Sequence, residues 1–474
     1  VQDQAQFRNA RRAHWDGVAR RLDSWSGWGG PYHQRLAEIY RFAIPPGLRV
    51  LEVGCGRGDL LAALRPSFGL GLDLSLEMLR RAKLRHPELS VVQGDAHSLP
   101  LQQAFDVVVL SDLVNDLWDA QTVLEGLRGL LHSRSRVILN SYSRLWEFPL
   151  AVAQRLRLAK PSLQQNWFTP DDLAGLLHLT GFETIRTWQE VMLPARLPLL
   201  AAFANRVLVR FWPFRHLALT NFVIARPQPD ARPAAPGTVS VIIPARNEAG
   251  NVLRLIRSVP AALPDCELIF VEGHSRDGTY DAIQREIEAH PRVRARLLRQ
   301  AGAGKGDAVR AGFSEAHGEV LAILDADLTV APEDLPRFVA VLAAGKADLV
   351  NGVRLVYPME EEAMRYLNLW GNKFFGLAFS WLLGQKVRDT LCGTKVLWKQ
   401  DYERIAANRA YFGEFDPFGD FDLLFGAARL NMKIADLPVR YRRREYGETN
   451  IRRWQHGWLL LRMLAFAARR LKFV

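Results

Sequence analysis

Two successive α/β domains are what this 474-residue sequence predicts. Short apolar runs alternate with amphipathic stretches along both halves, the pattern of strands and covering helices in a parallel sheet. A proline-rich break at residues 227–237 interrupts that pattern once. The length also exceeds one ordinary hydrophobic core, so two domains are the natural division.

Residues 1–24 are polar and charged and read as a helix, not a secretory leader. In the domain assigned to 1–226, the candidate strands are 49–53, 69–73, 90–93, 105–110, 136–140, 184–190 and 219–225. The linker 227–237, Pro-Gln-Pro-Asp-Ala-Arg-Pro-Ala-Ala-Pro-Gly, has four prolines and no periodicity. The domain assigned to 238–474 opens with Val239-Ser-Val-Ile-Ile243, and its further strands are placed at 267–271, 293–298, 320–324 and 348–353. The glycine signatures of the halves differ in form, so no internal repeat is read.

Composition narrows the class. With 49% apolar and 24% charged residues the chain is globular, not disordered. Cys55, Cys266 and Cys392 are scattered, without zinc spacing or a disulfide framework, which suits a reducing compartment. No run of eighteen apolar residues occurs, so no spanning helix is expected. The net charge of +12 fits nucleic acid, anionic lipid or phosphate-rich substrates. Its distribution says more. Between Arg440 and Lys472 there are ten Lys or Arg against two Glu, interleaved with Trp454, Trp458, Leu459 to Leu461, Met463, Leu464 and Phe466. Such a helix resembles an interfacial anchor, or packs on its own domain. Residues 363–384 and 193–217 add two further apolar stretches, the latter also basic. No aromatic-basic platform or recognition motif supports specific nucleic-acid binding.

In the first half, strand 49–53 runs into Gly54-Cys-Gly56-Arg-Gly58-Asp. Glycines there permit a tight turn and close approach of a ligand to backbone amides. The next strand ends at Asp73, placed to receive the two ribose hydroxyls of an adenosine. A third ends in Val92-Gln-Gly94-Asp95-Ala96, where Asp95 can accept from the adenine amino group with Ala96 beside the ring. A glycine-rich turn alone also fits nicotinamide cofactors. The whole pattern resembles class I S-adenosylmethionine-dependent methyltransferases over residues 32–226. It rests on Glu52-Val-Gly54-Cys-Gly56-Arg-Gly58, Leu72-Asp73-Leu-Ser, Gly94-Asp95-Ala96, Phe105-Asp106, and Phe168-Thr-Pro170 followed by Leu173 and Gly181-Phe182. The resemblance implies a Rossmann-like fold, S-adenosylmethionine as cofactor, and Glu52 and Asp73 holding its methionine and ribose portions. Methyl transfer from a sulfonium chiefly needs alignment and exclusion of water. A hydroxyl acceptor also needs a base, and Asp112, Asn115 and Asp116 are candidates, with His97 and Tyr142 behind them. No pattern fixes the methyl acceptor.

In the second half, Val320-Leu-Ala-Ile-Leu-Asp325-Ala-Asp327 reads as a buried strand ending in two carboxylates. Strand ends are where α/β sheets bind ligands, and paired carboxylates there fit Mg2+ or Mn2+ holding a diphosphate. Pro244, Arg246 and Glu248 form a turn at the entrance to a nucleotide pocket, and Glu272 is placed to meet a nucleobase edge. Gly302-Ala-Gly304-Lys305-Gly306 adds mobile backbone and one cation, without the spacing of a Walker loop.

This half resembles family 2 glycosyltransferases of the GT-A fold over residues 238–474. Besides the segments above, the resemblance includes Asp277-Gly278-Thr279, Arg388-Asp389-Thr390-Leu-Cys392-Gly393-Thr-Lys395 and Gly419-Asp420-Phe-Asp422. Glu272-Gly-His-Ser-Arg before Asp277 departs from the common Asp-Asp-Gly-Ser-Thr pattern and leaves the nucleobase open. Arg388-Asp-Thr…Cys-Gly and Tyr446-Gly-Glu448-Thr-Asn450-Ile resemble the polyprenyl-phosphate sugar transferase branch, which implies inversion at the anomeric carbon.

The acceptor decides the mechanism. A lipid phosphate, with a second pKa of about 6, is largely ionised and needs cations such as Arg442, Arg443, Arg444, Arg452 and Arg453. A sugar hydroxyl needs a base, for which Asp420 or Asp422 is favoured, then Asp389. The reading is therefore a fused methyltransferase and glycosyltransferase of surface-glycan or glycolipid assembly, cytoplasmic, with peripheral contact to the inner face of the membrane. A tailoring enzyme acting on a small metabolite is the alternative, and a basic lipid- or nucleic-acid-binding protein is the non-enzymatic one.

Overall fold

The computed structural model describes residues 3–21, 29–156, 159, 162–195, 197–229, 237–357, 366–412, 419–446 and 453–473. Residue contacts gather into two compact units, Val1–Gln228 with Lys472–Val474, and Pro229–Leu471. The division falls inside the proline-rich stretch.

The first unit holds a seven-stranded sheet: β1 (Arg49–Val53), β2 (Phe68–Asp73), β3 (Ser90–Gln93), β4 (Phe105–Leu110), β5 (Leu131–Tyr142), β6 (Phe182–Glu190) and β7 (Thr220–Pro227), in the order β3-β2-β1-β4-β5-β7-β6. Alternate residues face opposite layers. Leu51, Val53, Leu70, Leu72 and Val108 enter one core, while Val50, Val107, Val109 and Ile138 enter the other. Both faces are thus covered and the α/β class holds. The fully parallel sheet expected does not, because β7 runs antiparallel to β5 and β6. Buried strands are near-continuous apolar runs whichever way they point, so the sequence pattern carries no direction.

The second unit holds another seven-stranded sheet: β8 (Val239–Ala245), β9 (Cys266–Glu272), β10 (Ala295–Arg299), β11 (Val320–Ile323), β12 (Leu349–Val353), β13 (Lys395–Trp398) and β14 (Ile434–Pro438), in the order β10-β9-β8-β11-β13-β12-β14. Here β13 is the antiparallel member. It and β14 were not expected from the sequence. The first is four residues long and begins with a buried lysine; the second contains Asp436 and ends in proline. The second lacks the composition of a strand, and the first, though it carries Val396 and Trp398, is too short to be read alone.

Two helices expected to rest on lipid lend much of their apolar surface to this unit's core. Phe375, Phe379, Leu382 and Leu383 of the helix Tyr366–Leu383 lie in one cluster with Leu460, Met463 and Ala467 of the helix Arg453–Leu471. Phe374, Leu377, Trp458 and Leu461 stay exposed. Among the described residues no helix is long and apolar enough to cross a membrane. In each sheet the strand order reverses beside the first strand, at β1 and at β8. Such a reversal leaves a crevice at the carboxyl ends of the strands.

Candidate active sites

The first crevice is built by the turn after β1. Gly54, Gly56 and Gly58 all adopt positive φ, 77°, 52° and 72°. A side chain on Gly56 would meet open space. Its amide donates to Asp73 Oδ2 at 2.8 Å, and the Ser75 amide donates to Oδ1 at 2.8 Å. These bonds fix the carboxylate at the end of β2. Burial outweighs them and pushes the Asp73 carboxyl up to about 6. Burial, aided by the charges of Asp73 and Asp59, also pushes Glu52 well above the usual range. Its Oε2 is buried without a hydrogen-bond partner. A buried orphan acceptor beside an open glycine turn fits a ligand bearing a donor group, as the methionine end of S-adenosylmethionine does.

The remaining expected residues meet a helix the sequence did not assign to the site. Arg8 of the helix Gln4–Arg21 lies 3.8 Å from Asp95, and Arg11 and Trp15 reach Asp116 at 2.9 and 2.8 Å. Asp16 accepts from the Ser75 hydroxyl. This helix therefore touches the loops after β2, β3 and β4. Asp95 also accepts from the His97 backbone and ring, at 3.0 and 2.7 Å, and Ala96 is half-buried beside it. Asp116 is held by Arg11, yet burial outweighs that charge and pushes its carboxyl up. Asp112 has φ 55° and accepts from Tyr32 Oη at 2.7 Å and from Asn140. Tyr32 and Tyr142 have their ring centroids 6.2 Å apart. Burial and then the Asp112 charge push both phenols well up, so they remain donors to that carboxylate. Asn115 ties its side chain to the Asn166 carbonyl and the Tyr142 amide instead.

In the second unit, Asp325 and Asp327 follow β11 as expected. Lys305 lies 2.5 Å from Asp325, and Arg444 lies 2.7 Å from Asp327 and 3.5 Å from Glu248. Burial pushes Asp325 up, but Lys305 and more distant cations outweigh it and hold the carboxyl below its ordinary value. Glu248 goes the other way, to about 7: burial and the two aspartates outweigh Arg444 and Asn251. Asp327 Oδ1 accepts from the Thr329 amide and hydroxyl at 3.1 and 2.8 Å. No group of three or more His, Cys, Asp or Glu gathers for a metal among the described residues. Two carboxylates are a partial hard-oxygen donor set of the kind that diphosphate oxygens complete for Mg2+ or Mn2+.

Glu272 and Arg246 flank this centre. Glu272 is buried and accepts from the Ser275 amide at 2.5 Å, while Arg246 is exposed in the turn after Pro244. Tyr446 Oη donates to Asp277 at 3.2 Å, and the Arg442 amide donates to the Thr329 carbonyl at 2.9 Å. Residues 441–446 thus lie across the strand ends. Glu448, Asn450 and Arg452 lie outside the described residues. Gly393 is required by space: a Cβ there would overlap the Asp325 carboxylate and the Lys305 ammonium. Gly393→Ala is expected to cost about 1–3 kcal/mol and to part the ion pair, read by thermal unfolding and a Mn2+ titration.

The three carboxylates favoured as bases are all engaged. Asp389 is fully enclosed, and Arg354 clamps it through Nε and Nη2 at 2.7 and 2.9 Å. Although burial raises it, Arg354 holds this carboxyl below the usual range. Asp389 is thus an ion-paired carboxylate. Asp420 lies 2.9 Å from the buried Lys395, and Asp422 lies 2.9 Å from Arg409. Gly419, at φ 76°, starts their helix, and a Cβ there would strike the Gly306 backbone. The Lys305 and Asp420 loops therefore meet at two glycines.

Comparison with known proteins assigns each unit a class. Residues 44–191 match the family model described as a methyltransferase domain, and residues 240–405 match glycosyl transferase family 2. The chain thus joins a Rossmann-like, S-adenosylmethionine-dependent methyltransferase domain to a GT-A-like family 2 glycosyltransferase domain that resembles polyprenyl-phosphate sugar transferases. A low-salt glycan biosynthesis hexosyltransferase, Agl6 of Haloferax volcanii, is 28% identical over 48% of this chain and 53% of its own. An undecaprenyl-phosphate 4-deoxy-4-formamido-L-arabinose transferase of Pseudomonas syringae is 32% identical over 32% of this chain and 45% of its own. The chain spans about half the length of the curated relatives it matches. Among solved structures, glucosyl-3-phosphoglycerate synthase of Mycobacterium tuberculosis aligns at TM-score 0.36 and 20% identity, over 50% of this chain and 80% of that one.

Proposed function

We propose that the first unit transfers a methyl group from S-adenosylmethionine and that the second transfers a sugar from a nucleotide-diphosphate sugar, with inversion, in surface-glycan or glycolipid assembly. The sugar acceptor is read as polyprenyl phosphate. The observation carrying that choice is that Asp389, Asp420 and Asp422 are each matched by a cation. A hydroxyl acceptor needs a free base, whereas an ionised phosphate needs none. The names of the Pseudomonas relatives point the same way.

Each residue then has a part. Glu52 takes the methionine end of the cofactor, Asp73 the ribose, and Asp95 with Ala96 the adenine, over the backbone of Gly54, Gly56 and Gly58. When bound, the cofactor supplies a methyl group activated by sulfonium charge. Asp112, oriented by Tyr32 and Asn140, faces the methyl acceptor, and Asp116 anchors the N-terminal helix. Asp325 and Asp327 hold the metal, and Pro244, Arg246, Glu248, Glu272 and Lys305 line the nucleotide sugar. The metal, when bound, supplies positive charge against the departing diphosphate. Three buried free thiols suit the cytoplasm, and the inner face of the membrane presents the lipid phosphate.

Mass spectrometry tests the reading, using the full chain with Mn2+, a nucleotide-sugar panel, and either a short polyprenyl phosphate or a glycan. A hexose mass added to the lipid phosphate is expected. Addition to the glycan alone would reject the lipid acceptor. Asp73 gives a separate pH signature. Its ionised form accepts the ribose hydroxyls, so protonation removes one acceptor. Affinity for S-adenosylhomocysteine should hold above pH about 6 and fall below it, as read by calorimetry. An unchanged affinity at lower pH, or in Asp73→Ala, would reject the ribose role.

A further inference from the structure

The large apolar side chains that stay exposed are concentrated on the first unit. Leu145 and Phe148 are 63% and 78% exposed, Leu199 and Phe203 90% and 52%, Trp212 and Leu217 74% and 54%. The first pair lies on the turn and helix spanning 144–155, and the others lie on the helix Pro198–Arg206 and the turns that follow it. Trp146 Nε1 donates to the Leu217 carbonyl at 2.9 Å, and the Ser143 amide donates to the Leu219 carbonyl at 2.7 Å. The start of the first stretch is therefore fixed to the end of the second.

These stretches are also basic. Among the described residues of the two stretches, Arg144, Arg155, Arg206, Arg210 and Arg215 stand against Glu147 alone. Arg210 is tied to Glu190, and Arg206 lies 3.6 Å from Glu38, but Arg144, Arg155 and Arg215 are exposed among the apolar residues. Scattered exposed leucines need no explanation; a contiguous group of this size marks an interaction site. Bulky apolar and aromatic side chains ringed by arginine match the boundary between lipid headgroups and acyl chains. A second copy of the chain would bring a basic face against itself, whereas an anionic bilayer complements it.

We infer that this face of the methyltransferase unit docks on an anionic lipid bilayer, with Phe148, Leu199 and Trp212 entering the headgroup boundary and Arg144, Arg155 and Arg215 meeting lipid phosphates. The inference places membrane contact on the first unit, on the stretch 193–217 already noted in the sequence together with residues 144–155, and not on the helices Tyr366–Leu383 and Arg453–Leu471; it does not depend on the acceptor of the sugar. The test is flotation of the full chain with phosphatidylcholine vesicles, with and without phosphatidylglycerol. Wild type should float with the anionic vesicles only. Phe148→Ala/Leu199→Ala/Trp212→Ala should weaken this at least about tenfold. Arg144→Glu/Arg155→Glu/Arg215→Glu should do the same. Trp458→Ala/Leu461→Ala, on the C-terminal helix, should keep binding within about twofold. Unchanged thermal unfolding of the exposed-residue variants guards against misfolding. The inference is overturned if the apolar triple variant floats like wild type, or if the C-terminal pair accounts for the binding. It is equally overturned if wild type ignores vesicles and forms a dimer that the triple variant dissolves.

Discussion

Asp327→Ala is expected to abolish sugar transfer and leave methyl transfer at its full rate. Asp327 follows β11 with one carboxylate oxygen fixed by Thr329 and the other on Arg444. Under the proposed mechanism that carboxylate is one of two holding the ion that offsets charge on the leaving diphosphate. Losing it removes stabilisation that exists chiefly in the transition state, so the fall belongs in kcat, by about a thousandfold or more. Labelled sugar and labelled methyl transfer, measured on one preparation, decide the matter, because the methyl reaction reports that the protein is intact. Sugar transfer within tenfold of wild type would remove Asp327 from the metal site.

Asp389→Ala should act through stability. Arg354 makes a two-pronged contact with a carboxylate that has no exposed surface, and Leu391 and the Arg354 backbone donate to it as well. Removing one partner of such a pair strands the other, at a cost of about 3–5 kcal/mol. Thermal and urea unfolding should both register the loss. Asp389→Ala/Arg354→Met should recover much of it, since no charge is then stranded. Arg354 lowers the Asp389 pKa. The stabilisation is therefore complete above the unfolded value of about 3.9 and is lost as pH falls through the lower folded value. A catalytic base would behave differently: its loss would cut kcat and leave unfolding unchanged.

The strands bearing both crevices were legible because β1, β2, β8 and β11 are apolar runs ending in glycine, proline or acid. The acids at their ends were legible for the same reason. What those acids touch was not. Asp389 meets Arg354 across 35 residues, and Asp420 meets Lys395 across 25. Such pairings depend on the packed chain, so motifs that read as bases carry no sign that each carboxylate also has a cation beside it. The N-terminal helix was legible as a helix but not as a neighbour of the crevice. Arg8, Arg11 and Trp15 are spaced three and four apart, which puts them on one helical face, and that spacing was the available signal. The antiparallel direction of β7 and β13 left no trace in their composition.

Arg444 gives the second centre a built-in counterion. Its guanidinium spans Asp327 and Glu248, so under the proposed metal role a divalent cation arriving at Asp327 would exchange with a tethered charge as well as with water. The apparent ion affinity is then the difference between two attractions. Replacing Arg444 with glutamine should tighten Mn2+ binding even as it removes a cation that phosphate could use.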